Sequence, residues 1–139
     1  MANVPLRSVG DRYVTQVTTE RHALVVDEPR PDGDDLGPSP YELLLAALGA
    51  CTSMTLRMYA RRQGWPLTEV QIELTHEREH IRDCEDCDEE HRQLDRITRR
   101  IHLEGALSDE QRARLIEIAQ RCPVHRTLMS AVQITDEVV

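Results

Sequence analysis

Two of the four cysteines stand where thiol chemistry can be considered. Cys51 lies in the middle of a long apolar stretch, where a free cysteine usually serves as a small hydrophobic core residue. Cys122 directly precedes Pro123 at the predicted start of a helix, where backbone N–H groups and the helix dipole favour a thiolate. His125 and Arg126, in the next turn, act in the same direction. Taken alone, Cys51 is interpreted as a core residue and Cys122 as a candidate reactive thiol.

The other two cysteines, Cys84 and Cys87, form a C-x-x-C pair inside an acidic segment, residues 83–90. Such a pair can hold half of a zinc site, and His80 and His91 are near enough in sequence to complete it. Against zinc, neighbouring carboxylates raise the pKa of a thiol, and the second pair of ligands has no defined spacing. We therefore expect a solvated acidic loop, with zinc binding as the alternative.

The segment from His76 to His80 matches the zinc-protease pattern H-E-x-x-H. That pattern works only on a helix, where residues four apart face one metal ion. Here Val70, Ile72 and Leu74 alternate with polar residues, which predicts a strand that continues towards His80. On a strand the two histidines would stand about 13 Å apart. The two histidines therefore cannot share one metal ion, and we do not expect a metalloprotease.

The elements that must position the cysteines begin with a hairpin and a loop. Residues 12–18 and 22–27 are β-branched-rich runs, and the three residues between them predict a turn. Residues 28–39 are rich in proline and glycine, which predicts a loop.

A long helix is predicted to carry Cys51. Ser39 is a good N-cap, Pro40 suits the first helical position, and Glu42 completes a capping box. Gly64 ends the helix. Because the first half of the helix is apolar on every side, we expect it to be buried on every side, by a sheet on one face and by a second subunit or helix on the other.

The rest of the chain is predicted to form two strands, two helices and a last strand. In chain order these are strands at 70–80 and 97–103, a helix at 108–121, a helical turn at 124–130 and a strand at 131–135. Ser108 with Gln111 repeats the capping-box signature at the start of the longer helix. The order is therefore β-β-α-β-β-α-α-β, a single α+β domain over residues 1–139 with a long buried central helix.

The composition excludes several functions. All 17 basic residues are arginine, so no lysine can form a Schiff base, bind a P-loop phosphate or act as a general base. A net charge of −8 with no separate basic run argues against a nucleic-acid partner. The longest uncharged stretch, residues 43–56, is shorter than the roughly 20 residues of a membrane span, and no secretory signal is visible. We expect a cytoplasmic protein without a membrane partner, whose cysteines are free, catalytic or metal-bound.

Two segments of the chain resemble the OsmC/Ohr family of osmotically induced and organic-hydroperoxide-resistance proteins. They are residues 37–52, GPSPYELLLAALGACT, and residues 121–125, RCPVH. The resemblance extends over nearly the whole chain, because the predicted order of elements also matches the family's fold. The two segments together are specific for this family, because a cysteine inside a long central helix and a second one at the start of a later helix are unusual outside it. Residues 83–87 and 122–128 look closer to the branch that also occurs fused to α/β-hydrolases.

The resemblance implies a thiol-dependent peroxidase without a bound cofactor or metal, active as an intertwined homodimer with two sites at the subunit interface. Cys51 would be the peroxidatic thiolate, which attacks the distal oxygen of a hydroperoxide and becomes a sulfenic acid. Cys122 would resolve the sulfenic acid as a disulfide. An external dithiol would then reduce the disulfide and reset the enzyme.

Such a site needs a cation, because burial in an apolar helix raises the pKa of a cysteine and makes it a poor nucleophile. In the family this cation is an arginine from the N-terminal β region, held by a carboxylate near the start of the central helix. Arg12 is the best candidate in this chain, with Arg21 and Arg7 behind it. Arginine suits the role because it keeps its charge.

The carboxylate is the point at which the chain departs from the family pattern. The peroxidases carry a glutamate where this chain has Tyr41, and the acid follows one position later as Glu42. Glu42 is therefore the candidate catalytic carboxylate, beside Cys51, Cys122 and Arg12. On a helix the shift is a rotation of about 100°, so the alternative is that Glu42 points away from the site and serves only the capping box. Tyr41 is expected to offer a hydroxyl hydrogen bond instead. Leucine and methionine residues of the central helix, Leu48 among them, are expected to line a pocket that favours organic peroxides.

Two other functions stay open at this stage. The same pocket could bind a small apolar or electrophilic ligand without catalysis, with Tyr41 in place of the acid because no thiolate is needed. Alternatively, the protein could be a zinc-binding accessory protein through Cys84 and Cys87.

Overall fold

The fold is that of a computed structural model, which describes residues 1–80 and 93–139, with side chains for residues 1–78 and 94–139. In chain order the elements are β1 Leu6–Ser8, β2 Thr15–Thr18, β3 Ala23–Val26, α1 Pro40–Gln63, β4 Glu69–His80, β5 Gln93–Glu104, α2 Asp109–Ala119 and α3 Pro123–Leu128. The predicted α+β class is confirmed. The chain divides into two compact units, Met1–Leu44 and Leu45–Val139. The single domain over residues 1–139 stays a prediction.

In the first unit the three short strands form an antiparallel sheet in the order β1-β2-β3. The predicted hairpin is confirmed as β2 and β3, which pair along their whole length around a turn in which the Thr19 N–H donates to the His22 carbonyl at 2.8 Å. The prediction contains no counterpart of β1. Its three residues are all exposed and show no apolar alternation that would mark a strand.

The loop after β3 is organised around the buried carboxylate of Asp27. Its Oδ1 accepts the Glu28 N–H at 2.8 Å, and its Oδ2 accepts the N–H groups of Asp34 and Leu36 at 3.2 Å each. A side chain at Gly33 would collide with the Glu28 carbonyl oxygen. The predicted loop is thus tightly folded around one acid.

Both predicted ends of α1 are confirmed. The Ser39 N–H donates to the Glu42 carboxylate at 2.8 Å and the Glu42 N–H donates to Ser39 Oγ at 3.3 Å, which is the reciprocal capping box. At the other end Gly64 has a φ of +71°, and the Trp65 N–H donates to the Ala60 carbonyl at 2.9 Å. Glycine adopts this left-handed conformation without strain, so it ends the helix cleanly.

The second unit packs helices on the hairpin formed by β4 and β5. The two strands pair antiparallel over twelve residues each. A Cβ on Gly49 would come within 2.7 Å of Leu74 Cδ1, so α1 crosses β4 at close range. The core cluster draws on α1, β5 and α2 and consists of Leu56, Ala60, Leu103, Leu115, Ile118 and Ala119.

Within one chain, α1 is buried along a single stripe. Its buried residues are Leu48, Gly49, Thr52, Leu56 and Ala60. Met54 and Met58 are 64% and 56% exposed. The predicted sheet on one face of α1 is confirmed as the β4–β5 hairpin, because residues three and four apart turn one face of a helix to it. Burial of the other face by a second subunit stays a prediction. By length and composition alone α1 could cross a membrane, a test that the core helix of a soluble protein also passes.

The last third of the chain confirms the two predicted helices but not the final strand. In the capping box of α2, Ser108 Oγ accepts the Gln111 N–H at 3.1 Å, and Gln111 Oε1 accepts the Ser108 N–H at 2.9 Å. The strand predicted at residues 131–135 is wrong for the part of the chain described, where Ile134 is 84% exposed. A strand needs a neighbour to pair its backbone groups, and none of the described strands lies beside this segment.

Candidate functional site

Cys51 and Cys122 meet inside the second unit. Cys51 is half-buried in α1, and Cys122 is fully buried at the residue before α3. Both are free thiols, and they lie close enough for the ionisation of each to affect that of the other. The fold therefore brings together the two cysteines that the sequence singles out, and only Cys51 is accessible to a molecule from solution.

Two threonines of α1 surround the sulfur atoms. The Thr52 hydroxyl donates to the Leu48 carbonyl at 2.7 Å and also lies within hydrogen-bonding reach of the Cys122 sulfur. The Thr55 hydroxyl donates to the Cys51 carbonyl at 2.8 Å and reaches the Cys51 sulfur. Because each hydroxyl has one proton, each can turn from the helix carbonyl to the neighbouring sulfur.

An arginine completes this cluster. Arg99 of β5 is half-buried, and its Nη1 donates to Thr52 Oγ1 at 2.9 Å and to the Ala119 carbonyl at 3.2 Å. Its Nη2 lies 3.0 Å from Nδ1 of His125. Since a guanidinium group can only donate, the Nδ1 atom of His125 is the acceptor, which assigns the ring proton to Nε2.

The two thiols differ in acidity. Burial raises the pKa of Cys51, and the hydrogen bond with Cys122 raises it further. Burial also acts to raise the pKa of Cys122, but hydrogen bonds from the Cys51 thiol, the His125 N–H and the Thr52 hydroxyl outweigh it and lower that pKa. Of the coupled pair, Cys122 is therefore the thiol whose surroundings favour the charged form.

The electrostatics of His125 agree with its role as an acceptor. Burial lowers the pKa of its imidazole, and the positive charge of Arg99 lowers it further. The ring is therefore neutral near pH 7, as the hydrogen bond from Arg99 requires.

The sequence analysis missed Arg99, although the signal was present. Ile97, Arg99, Ile101 and Leu103 share one face of the predicted strand, and the structure places that face towards the core. A charged residue on an apolar strand face is unusual unless it has polar partners inside. The presence of a charged residue on the apolar face of this strand is the feature that could have identified Arg99.

Arg12, the predicted activating cation, pairs with an acid of its own unit. Its Nε donates to Asp34 Oδ2 at 3.1 Å, and its Nη2 contacts the other carboxylate oxygen. The side chain is 56% exposed. Arg7 and Arg21 are also exposed. The carboxylate that holds Arg12 is thus Asp34, an acid that the sequence analysis does not consider.

Three residues near the start of α1 also carry predicted roles. Glu42 serves the predicted capping box, and its role as the catalytic carboxylate stays a prediction. Tyr41 is 46% exposed, and its role as a hydrogen-bond donor at the site stays a prediction. Leu48 is only 4% exposed, so within one chain its side chain lies in the core rather than on an open pocket wall.

The metal hypotheses have different outcomes. His76 and His80 lie on β4, which confirms that the H-E-x-x-H match is part of a strand, and His76 Nε2 contacts Asp95 Oδ1 at 2.7 Å. Among the residues that the structure describes, no group of three or more potential ligands could hold a metal ion. Cys84, Cys87 and His91 lie outside the described residues, so the zinc hypothesis stays a prediction.

The fold and the cluster define a class: an α+β protein with two paired thiols, one on a long central helix and one at the start of a later helix. The model of the OsmC-like protein family matches residues 33–137. An uncharacterised protein of Haloferax volcanii is 31% identical over 102 residues, which are 72% of this chain and 70% of that protein. The chain belongs to the OsmC-like family.

Solved structures share the fold at low sequence identity. An OsmC-like protein from Mycoplasma pneumoniae is similar with a TM-score of 0.74 at 17% identity, covering 93% of this chain and 87% of that one. An organic hydroperoxide resistance protein OsmC from Legionella pneumophila gives a TM-score of 0.65 at 20% identity, over 91% and 88% of the two chains. The organic hydroperoxide resistance protein OhrB of Bacillus subtilis gives 0.59 at 22% identity, over 91% and 89%. These similarities show the fold.

Proposed function

We propose that this protein is a thiol-dependent peroxidase that reduces organic hydroperoxides through Cys51 and Cys122 and is reset by an external dithiol. The observation that carries the proposal is the approach of two free thiols, close enough to affect each other's ionisation, of which only Cys51 is accessible. Two solved structures with the same fold are named organic hydroperoxide resistance proteins, which supports the same class of substrate.

The reaction has two balanced steps. In the first, the Cys51 sulfur attacks the distal oxygen of ROOH, the O–O bond breaks, and the proton of the Cys51 thiol passes to the leaving alkoxide, which gives Cys51–SOH and ROH. In the second, the Cys122 thiolate attacks the sulfur of Cys51–SOH, forms the disulfide and releases hydroxide. An external dithiol supplies the two electrons that restore both thiols.

The working form that we propose is a homodimer. Met54 and Met58 lie on a face of α1 that the single chain leaves exposed, and a second copy of the chain could cover that face. The roles of Arg12 and Tyr41 in peroxide reduction are part of this proposal. A cytoplasmic dithiol would be the reductant.

The experiment that tests the proposal measures turnover of cumene hydroperoxide with a dithiol donor. We expect the wild-type protein to consume the hydroperoxide catalytically and the Cys51→Ser variant to be inactive. Cys84→Ser, which changes a cysteine that has no role in the proposed reaction, is the matched control and should keep wild-type turnover. Wild-type turnover by Cys51→Ser would overturn the proposal.

A second candidate function is the non-enzymatic binding of a small apolar or electrophilic ligand. The raised pKa of Cys51 favours it, because burial and the hydrogen bond with Cys122 leave little thiolate at the accessible sulfur. Alkylation of Cys51 measured against pH separates the two functions. Binding would be supported if the alkylation rate of Cys51 rises only at a pH well above the pKa of an ordinary thiol and the protein does not turn over hydroperoxide.

A further inference from the structure

Arg99 is unusual because its positive charge is carried into the packed side of the second unit. The residue comes from β5, and its three hydrogen bonds reach three different helices: Thr52 of α1, Ala119 of α2 and His125 of α3. Each of these acceptors is neutral, namely a hydroxyl, a carbonyl and an imidazole nitrogen. The hydrogen bonds therefore hold the guanidinium in place without cancelling its charge.

Thr52 connects this charge to the thiol pair. Its oxygen accepts from Arg99 Nη1 at 2.9 Å, so its single proton points elsewhere, either to the Leu48 carbonyl at 2.7 Å or to the Cys122 sulfur. An N–H bond from a cation to a hydroxyl oxygen polarises the O–H group and makes it a stronger donor. Arg99 thus strengthens the hydrogen bond that Thr52 can give to Cys122.

His125 is the second connection. Arg99 Nη2 fixes its ring at 3.0 Å, and the backbone N–H of the same residue is directed at the Cys122 sulfur. Holding the side chain also holds the first turn of α3, where this N–H lies. One guanidinium group therefore positions both the hydroxyl and the backbone donor that face Cys122.

We infer that Arg99 is a positioning residue of the thiol pair, which holds Thr52 and His125 so that they stabilise a thiolate on Cys122. The inference rests on the proposed function for its use in catalysis: donors that stabilise a thiolate on Cys122 would favour its attack on Cys51–SOH. The titratable and charged groups around Cys122 are Cys51 from α1, Arg99 from β5 and His125 from α3, while α2 contributes the Ala119 carbonyl.

The competing explanation is that Arg99 only fastens the fold. Its bond to the Ala119 carbonyl pairs one of the acceptors at the end of α2, which stabilises a helix in any protein. A purely structural arginine would lower the thermal stability on removal but would leave the ionisation of Cys122 unchanged. The test must therefore measure ionisation itself.

The experiment is an ultraviolet titration of thiolate absorbance in the reduced full chain, with Cys84→Ser and Cys87→Ser present so that Cys51 and Cys122 are the only thiols that contribute. We expect the first of the two thiol ionisations to have a pKa below that of an ordinary thiol. This first ionisation should disappear when Cys122→Ser is added to the same protein. Arg99→Gln should raise the pKa of this first ionisation by about one, so that at a pH below this pKa the thiolate fraction falls about tenfold. Arg100→Gln, on the neighbouring, 78% exposed side chain, is the control and should leave it in place.

Two further variants keep the inference falsifiable if Arg99→Gln fails to fold. Thr52→Val keeps the side-chain shape but removes the hydroxyl, so it should also raise the first step. Arg99→Lys keeps the charge and should recover part of the shift. An unchanged first step in Thr52→Val and Arg99→Gln, or in Thr52→Val alone where Arg99→Gln does not fold, would overturn the inference.

The titration uses no peroxide, so its outcome is independent of the proposed activity. A lowered first step that depends on Arg99 in a protein without hydroperoxide turnover would reject the peroxidase and keep the positioning role. Turnover by the wild-type protein with an unshifted titration in Arg99→Gln would do the reverse.

Discussion

Arg12 and Arg99 show how two regions of one chain use the same side chain differently. Arg12, in the first unit, is 56% exposed and lies against a carboxylate, Asp34. Arg99, in the second unit, is half-buried and bonds only neutral acceptors in the described part of the chain. A charge that faces both water and an opposite charge is largely screened. The charge of Arg99 has no carboxylate partner in the described part of the chain, so it is less screened and can influence the thiols of its own unit.

The largest expected effect is on hydroperoxide turnover, which we assign to the two cysteines of the second unit. Cys51→Ser should abolish hydroperoxide consumption, because the attacking sulfur is lost. With no dithiol present, Cys122→Ser should permit one oxidation per chain, and Cys51 should then advance to sulfinic acid because the neighbouring thiol that would form the disulfide is missing. Mass spectrometry of Cys51 after peroxide treatment measures this. A Cys51 that resists over-oxidation in Cys122→Ser as well as it does in the wild-type protein would contradict the assignment of Cys122 as the resolving cysteine.

The next effect concerns the core that holds the partners of Arg99. Leu115 of α2 is fully buried, and Leu115→Ala should lower the free energy of unfolding by about 2–5 kcal/mol through lost burial and a cavity. Its neighbour Ile116 is 45% exposed, so Ile116→Ala is the matched control and should cost much less. Chemical denaturation of both variants measures the difference. Equal losses would mean that α2 does not pack on the second unit as described.

In the first unit the buried group is an acid, so its contribution should depend on pH. Burial acts to raise the pKa of Asp27, but backbone hydrogen bonds from Leu36, Glu28 and Asp34 outweigh it, and the pKa lies below its usual value. A carboxyl group with a lowered folded-state pKa stabilises the protein above its unfolded-state pKa, about 3.9. That contribution is lost as the pH falls through the lower, folded-state value.

Asp27→Asn should therefore destabilise the protein at neutral pH, because an amide cannot accept all three N–H groups. It should also remove part of the loss of stability below about pH 4. Denaturation midpoints measured from pH 7 downwards test this, with Asp32→Asn, an exposed acid of the same loop, as the control. If the denaturation midpoint falls identically at low pH in Asp27→Asn and the wild-type protein, the lowered pKa of Asp27 is contradicted.

The smallest effect is expected at the exposed arginine. Arg12→Gln should change the free energy of unfolding by less than about 1 kcal/mol, because an exposed ion pair contributes little. What this variant does to turnover tests the separate prediction that Arg12 activates Cys51. A large fall in turnover with unchanged stability would support that role, and unchanged turnover would remove it.

The sequence was sufficient for the elements whose signals are local. The capping boxes at Ser39 and Ser108, the glycine that ends α1 and the alternation on β4 all depend on residues within one turn or strand. The pairing of Cys51 with Cys122 followed from the family resemblance, and no local pattern contains it.

What could not be predicted depends on contacts between distant segments. The Arg99 network joins residues from β5, α1, α2 and α3, and the Arg12–Asp34 pair joins residues 22 positions apart. The strand predicted at residues 131–135 failed for a related reason, since apolar alternation indicates a tendency to pair but does not supply a partner strand. Only the inward position of Arg99 in its strand offered a warning.

The most direct test of the central claim is the bond formed when reduced protein meets one equivalent of cumene hydroperoxide. Peptide mapping of the product by mass spectrometry should show a disulfide between Cys51 and Cys122, the loss of two thiols per chain and one equivalent of the alcohol. A chain that keeps both thiols, or that forms its disulfide through Cys84 or Cys87 while Cys51 and Cys122 stay reduced, would contradict the account.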